Sequence, residues 1–371
     1  MTTVGLVGWR GMVGSVLLDR MRAERDLAEA RVLYYSASSP GAEAPQESAE
    51  RYLLDANDPR ALARCDVILT CQGSGHTREL YGRLRSLGWR GYWIDASSAL
   101  RLDDEAVIVL DPVNRDVIDA ALAQGKRTFV GGNCTVSLLI MAFAGLLRAG
   151  LVEWIHTSTY QAASGAGAAK MIELMQQMEA LGRETAAWTQ SPGRGALDLE
   201  RRITAAQAGT ELPTAEFGAP LAGSLLPWID SAMPGGQTRE EWKGEVELNK
   251  ILGTPSTIGV DGICVRVGAL RCHSQSVLVK MKRPVPIPEV EQLLGSAHPW
   301  VRVVANDQEQ TLRLLTPAAI SGSLDVAVGR LHAMRMGQEF LGAFTVGDQL
   351  LWGAAEPLRR MLRIVLDTSW R

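Results

Sequence analysis

The sequence lacks any pair of cysteines at Cys-x-x-Cys spacing. Cys65, Cys71, Cys134, Cys264 and Cys272 are odd in number and scattered, which argues against a disulfide framework and a zinc site and fits a reducing cytoplasm. No apolar run reaches the ~20 residues that span a bilayer; the longest, from Cys134 to Leu147, reads as a buried helix. Blocks of like charge are missing too, and Lys+Arg 38 against Asp+Glu 41 leave a net charge of −3, so neither nucleic acid nor a membrane is an expected partner. Met1 to Gly8 passes straight into a strand pattern without a basic n-region or cleavage site, which predicts a chain that is not secreted. What is present, 46% hydrophobic and 21% charged residues, is the composition of an ordinary soluble protein. A length of 371 residues exceeds one ordinary core, so two domains are expected.

The first motif follows at once. Val4 to Val7 reads as a buried strand, and Gly8, Gly11 and Gly14 give Gly-x-x-Gly-x-x-Gly before an amphipathic helix. Such a turn lets backbone approach a pyrophosphate at a helix N-terminus, although a purely structural strand-to-helix turn looks the same. The second strand, Arg31 to Ser36, ends in Ala37-Ser38-Ser39 and not in Asp or Glu. An acidic residue there would bind the ribose hydroxyl of NAD; small hydroxyl residues with Arg10 nearby permit NADP. Gln72 falls at the C-terminal end of a third strand, where ligands of open α/β sheets lie. Strands and helices alternate onward, with strands at Tyr92–Asp95 and Val107–Leu110 and a helix from Asn114 to Gln124, which predicts a parallel, doubly wound sheet. Arg101, after the Asp95 strand end, could face an anion or be a solvated loop residue.

Chemistry concentrates at Gly131-Gly132-Asn133-Cys134-Thr135-Val136-Ser137. A thiol at the start of a helix, after a strand and two glycines, meets backbone N–H donors and the positive end of the helix dipole. Both favour the thiolate and predict a lowered pKa. A buried structural cysteine is the equal alternative from this stretch alone. Downstream, Ser164-Gly165-Ala166-Gly167 opens a helix to about Leu181, and Thr238 caps another in which Glu240 and Lys243 share a face, in the plain case as a surface ion pair. Arg266 and His273 lie in one strand-like stretch from Ile263 to Val279. Seven residues apart, they would face opposite ways unless an irregularity near Gly268 intervenes. The apolar residues 358, 361, 362 and 365 stripe a C-terminal helix, expected to return to the first sheet.

Taken together, Gly8 to Ser15, Gly131 to Ser137, Tyr160 to Gly165, Arg239 to Gly244, Arg266 to Gln275 and Phe344 to Gln349 resemble the aspartate-semialdehyde dehydrogenase family of Gram-negative bacteria, over nearly the whole chain. The resemblance implies an α/β protein: an N-terminal Rossmann-like domain (1–132, completed by a helix at 355–371) and an α+β catalytic and dimerisation domain (133–354). By the same resemblance Cys134 is the nucleophile forming an acyl-thioester, His273 the general acid and base, and Gln161 the residue that orients the substrate. Arg266 would grip the substrate carboxylate, Glu240 its amino group, and Lys243, Arg101 and Asn133 its phosphate. NADP would be held by Gly8, Arg10, Gly11, Met12, Val13, Ala37, Ser38, Gln72, Ser164, Gly165, Ala166, Gly167, Ala168, Pro192 and Gln349. Ala37, Ala166 and Ala168 depart from the family pattern. No metal is implied. The implied protein is a cytoplasmic homodimer that reduces L-aspartyl-4-phosphate to L-aspartate-4-semialdehyde, in lysine, methionine and threonine synthesis. Related acyl-phosphate reductases and an NADP-binding redox sensor are the rival readings.

Overall fold

The computed structural model describes residues 1–189 and 195–368. Pro192 and the last three residues of the expected C-terminal helix lie outside them. Short, β-branched runs form the first sheet: β1 (Thr3–Val7), β2 (Arg31–Ser36), β3 (Leu54–Asp55), β4 (Val67–Thr70), β5 (Tyr92–Asp95), β6 (Ala106–Val109) and β7 (Thr128–Gly131). Among the described residues its order is β3-β2-β1-β4-β5-β7-β6, and every pairing is parallel. The doubly wound reading therefore holds. Both faces are covered, one by Leu80, Leu84 and the 59–62 helix, the other by Leu17, Leu18 and Met21.

The C-terminal helix, Glu356–Thr368, lies on that second face. Its stripe of Leu358, Met361, Leu362 and Val365 is buried with Val4, Leu6, Leu69, Ile94 and Phe129. Charge fixes it as well: Arg359 spans Asp26 and Glu356, all buried. The helix expected from Asn114 starts earlier, at Asp111, because Pro112 suits a first helical turn. Asn114 itself is non-helical, its side chain donating to Ile108 O and Ile251 O.

The second sheet, among the described residues, has the order β12 (Val301–Val303), β13 (Val326–Met334), β14 (Gly337–Asp348), β11 (Cys272–Met281), β8 (Val152–Gln161), β10 (Gly259–Val267) and β9 (Leu225–Leu226). The stretch read as one strand from Ile263 to Val279 is thus two. Gly268 to Arg271 is a turn, a larger break than the expected bulge, and β8 lies between the strands it joins. Against this sheet packs the helix Cys134–Arg148, in which every residue from Thr135 to Leu146 is buried, as a helix apolar all round must be. Its core joins Val130 and Ile108 of the first sheet to Ile155, Val277 and Leu341 of the second. No helix among the described residues is long and apolar enough to cross a membrane.

Truncating the C-terminal stripe should show in stability. Leu362→Ala, at a fully buried position, is expected to cost about 2–5 kcal/mol by lost transfer energy and the cavity left behind, read as a lower urea midpoint.

Candidate active site

Four elements converge on Cys134. β7 ends at Gly131, and Asn133 caps the following helix, its Oδ1 accepting from Thr135 N (3.0 Å) and Val136 N (3.2 Å). Cys134 Sγ then lies 3.2 Å from His273 Nε2. His273 opens β11 beside the end of β8, where Ala162 N–H donates to its Nδ1 at 3.0 Å. Arg266, at the end of β10 on the other side of β8, donates from Nη1 to Ala162 O at 2.6 Å. The arginine and the histidine share a site because β8 carries both, one on each flank.

The helix Arg239–Leu252 supplies the remaining charge. Its Thr238 cap and Glu241 form a capping box, which sets Glu240 inward. Glu240 Oε1 accepts from Asn133 Nδ2 (3.0 Å) and Gln161 Nε2 (3.3 Å), and Oε2 from Lys243 Nζ (3.1 Å). Glu240 is buried and Lys243 largely covered, so the surface-pair reading is corrected: helix and sheet enclose the pair. Arg101 is likewise no solvated loop residue, since its Nε donates to Gly131 O (2.7 Å) and its Nη1 to Glu247 Oε1 (3.2 Å).

The electrostatics overturn one expectation. Burial, then the Glu240 carboxylate, push the Cys134 thiol up to about 12, against Arg266, Arg101 and Lys243, which pull it down. The helix start favours the thiolate locally, but enclosure by distant elements outweighs it. Burial and Arg266 hold His273 well below the ordinary histidine range. With Nδ1 accepting from Ala162, the neutral ring carries its proton on Nε2, facing sulfur, so in this tautomer His273 donates to the sulfur and does not take the thiol proton, which differs from the general-base half of its expected role. Burial opposes the Lys243 charge, yet Glu240 and Asp230 hold its pKa above the ordinary lysine value.

At the carboxyl ends of the first sheet, a cavity of about 350 Å³ is lined by Gly8, Trp9, Arg10, Gly11, Tyr35, Ser36, Ala37, Ser38, Cys71 and Gln72. Met12 and Val13 open the adjoining helix and are not among the lining residues. Gly8 has φ 72°, and a Cβ there would lie 2.6 Å from Gln72 N, so the close turn needs glycine. The Arg10 guanidinium stacks 4.6 Å from the Trp9 ring and donates to Ser39 Oγ at 2.8 Å. A cation beside hydroxyls, where an acidic residue would exclude phosphate, fits a 2′-phosphorylated dinucleotide. Toward the thiol, Gln349 Nε2 donates to Ser164 Oγ (2.8 Å), and a Cβ on Gly165 would meet His273 Cε1 at 2.9 Å. Ala166 closes a short 3₁₀ turn, Gly167 has φ 102°, and Ala168 begins a helix that runs to Thr189, beyond the expected Leu181.

Comparison with known proteins agrees with this geometry. A family model described as "Semialdehyde dehydrogenase, NAD binding domain" matches residues 3–121, and one described as "Semialdehyde dehydrogenase, dimerisation domain" matches residues 143–352. The aspartate semialdehyde dehydrogenase of Francisella tularensis is 46% identical, with 99% of this chain and 100% of that one covered and a TM-score of 0.95. The chain belongs to the aspartate-semialdehyde dehydrogenase family. It is therefore an enzyme of nicotinamide-dependent type, α/β in fold. More distant members share the fold: aspartate semialdehyde dehydrogenase II of Vibrio cholerae, complexed with ASA (22% identity, TM-score 0.78, 100% and 99% covered), and the Candida albicans enzyme with NADP (16%, 0.65, 99% and 98%).

Several residues at the site escape a reading of sequence alone. Glu247 and Asp230 hold Arg101 and Lys243. Only the spacing of Glu247 from Glu240, two helical turns, hints at it. Gly353, in a π-type turn (Leu351–Ala355), approaches so closely that a Cβ there would be 2.8 Å from Cys134 Cβ. Among the described residues no group of three or more His, Cys, Asp or Glu side chains is placed to hold a metal.

The thiol's raised pKa predicts a pH profile. Alkylation of Cys134 by iodoacetamide, with Cys134→Ala as the blank, is expected to keep accelerating past pH ~8.5, where an ordinary thiol levels off. Glu240→Gln removes a negative charge and should shift the profile toward lower pH; a profile unmoved by that change would contradict the assigned cause.

Proposed function

We propose that the chain catalyses the reversible, NADPH-dependent reductive dephosphorylation of L-aspartyl-4-phosphate to L-aspartate-4-semialdehyde through a Cys134 thioester. The observation that carries this reading is the pairing of Cys134 with His273 beside two separate charge receptors, the Glu240 carboxylate and the Arg266 guanidinium. Glu240 suits a free ammonium and Arg266 a carboxylate, which favours an amino-acid acyl phosphate over an acetylated or neutral one.

Arg101, Lys243 and Asn133 hold the phosphate, and Gln161 orients the acyl group. Sulfur attacks the acyl carbon, the bond to phosphate oxygen breaks, and the thiol proton leaves with the phosphate. Negative charge forming on sulfur and on the acyl oxygen is met by His273 Nε2–H and by the Cys134 N–H, which at the first helical position has no intrahelical acceptor. Gly8, Gly11, Arg10, Ala37, Ser38 and Gln72, with Ser164, Gly165 and Gln349 toward the thiol, would hold NADPH, which would supply a hydride for reduction of the acyl group to the aldehyde. His273 then supports the departing thiolate until it regains a proton.

The chain acts as a homodimer in this reading. One face of the second sheet is packed by the Cys134 helix; the other carries the partly buried pairs Trp154–Phe340 and Tyr160–Phe344 beside Ile263, 53% exposed. Such a face suits a second copy. A cytoplasmic place at the branch toward lysine, methionine and threonine follows from the reaction.

Two measurements test the chemistry. With aspartate semialdehyde, phosphate and NADP, wild type should produce NADPH and Cys134→Ala none; turnover in the variant would remove the covalent step. In the free site Asp230 Oδ2 lies 2.7 Å from Lys243 Nζ, on a residue of φ 71°, so phosphate must compete with it. Asp230→Asn is expected to lower the KM for phosphate roughly threefold, and a raised KM would mean that Asp230 supports Lys243 instead.

A further inference from the structure

We propose that Glu247 is a positioning residue that sets phosphate affinity through Arg101. This rests on the reading of Arg101 as a phosphate ligand. Glu247 is 2% exposed and lies two turns beyond Glu240 on the same helix, so Glu240, Lys243 and Glu247 form one stripe facing the site. Its two carboxylate oxygens have separate tasks. Oε2 accepts the Asn133 backbone N–H at 2.6 Å, and Oε1 accepts Arg101 Nη1 at 3.2 Å. Arg101 in turn donates from Nε to Gly131 O at 2.7 Å. One carboxylate therefore fixes both ends of Gly131-Gly132-Asn133, the tripeptide that delivers Cys134, directly at one end and through the guanidinium at the other.

Holding the Asn133 N–H alone would not call for a charge, since any buried oxygen could accept it. A buried ion pair is a poor way to gain stability. What the carboxylate adds is orientation: with Nε and Nη1 engaged, the guanidinium plane is set and its remaining N–H groups stay available to an anion. Arg101 is also among the three cations whose field draws the Cys134 thiol down, so the same clamp keeps that field in place.

Glutamine cannot replace this carboxylate, because its amide nitrogen accepts from neither Asn133 N–H nor Arg101. Steady-state constants for phosphate, aspartate semialdehyde and NADP would be measured in wild type, Glu247→Gln, Glu247→Asp, Arg101→Ala and the double variant Arg101→Ala/Glu247→Gln. Glu247→Gln is expected to raise the phosphate KM roughly tenfold and the other two KM values less than about threefold, with Glu247→Asp intermediate. In the Arg101→Ala background, Glu247→Gln should add nothing to the phosphate KM. Equal rises in all three KM values, or an unchanged increment without Arg101, would overturn the role. If Glu247→Gln does not fold, Glu247→Asp carries the test, since its shorter side chain cannot reach both donors; a wild-type phosphate KM there also overturns it. The underlying reading fails separately, if Arg101→Ala leaves the phosphate KM unchanged.

Discussion

The site depends on one buried carboxylate. Glu240 receives the side chain that caps the Cys134 helix, the glutamine that ends β8 and the ammonium of Lys243 on its own helix. A carboxylate taken out of water is tolerated only when donors replace its hydration, and here each donor comes from a different part of the chain. Shifting the cap, the sheet end or the helix would strand that charge. The position of Cys134 is thereby tied to that of the Glu240 and Lys243 charges, and a single misplaced element would disturb both together.

The same arrangement balances the site electrically. Arg101, Lys243 and Arg266 face Glu240, Glu247 and Asp230, so the pocket brings three cations together without carrying an uncompensated positive charge. Against this balanced background burial, followed by the Glu240 carboxylate, favours the thiol form of Cys134. A thiol is better protected than a thiolate, the form that oxidants attack.

Much of this was legible in local patterns. The glycine turn, the all-apolar Cys134 helix, the Thr238 cap and the C-terminal stripe each announce themselves within a few residues, and each is found. What sequence could not supply was adjacency. A two-residue alternation tells which face a strand residue occupies, not which strand lies beside it, so Arg266 and His273 looked like partners on one strand when they flank β8. The thiol's pKa was misjudged for a related reason: the helix-start argument sees neighbours in sequence, while the close approach of Gly353 and the opposing charge of Glu240 come from far along the chain. Asp230 gave no signal, being one acidic residue in a loop, significant only because its left-handed backbone points it at Lys243.

The return of the last helix to the first sheet has a consequence for the order of events during synthesis. All seven strands of that sheet leave the ribosome within the first third or so of translation, yet Val4, Leu6, Leu69, Ile94 and Phe129 stay without much of their cover until Leu358, Met361 and Leu362 have been made. The nascent chain therefore carries an open apolar face through the synthesis of the whole second sheet. The cofactor-side unit closes last, although it begins first, and an enzyme of this design cannot finish its dinucleotide-binding half ahead of its catalytic one.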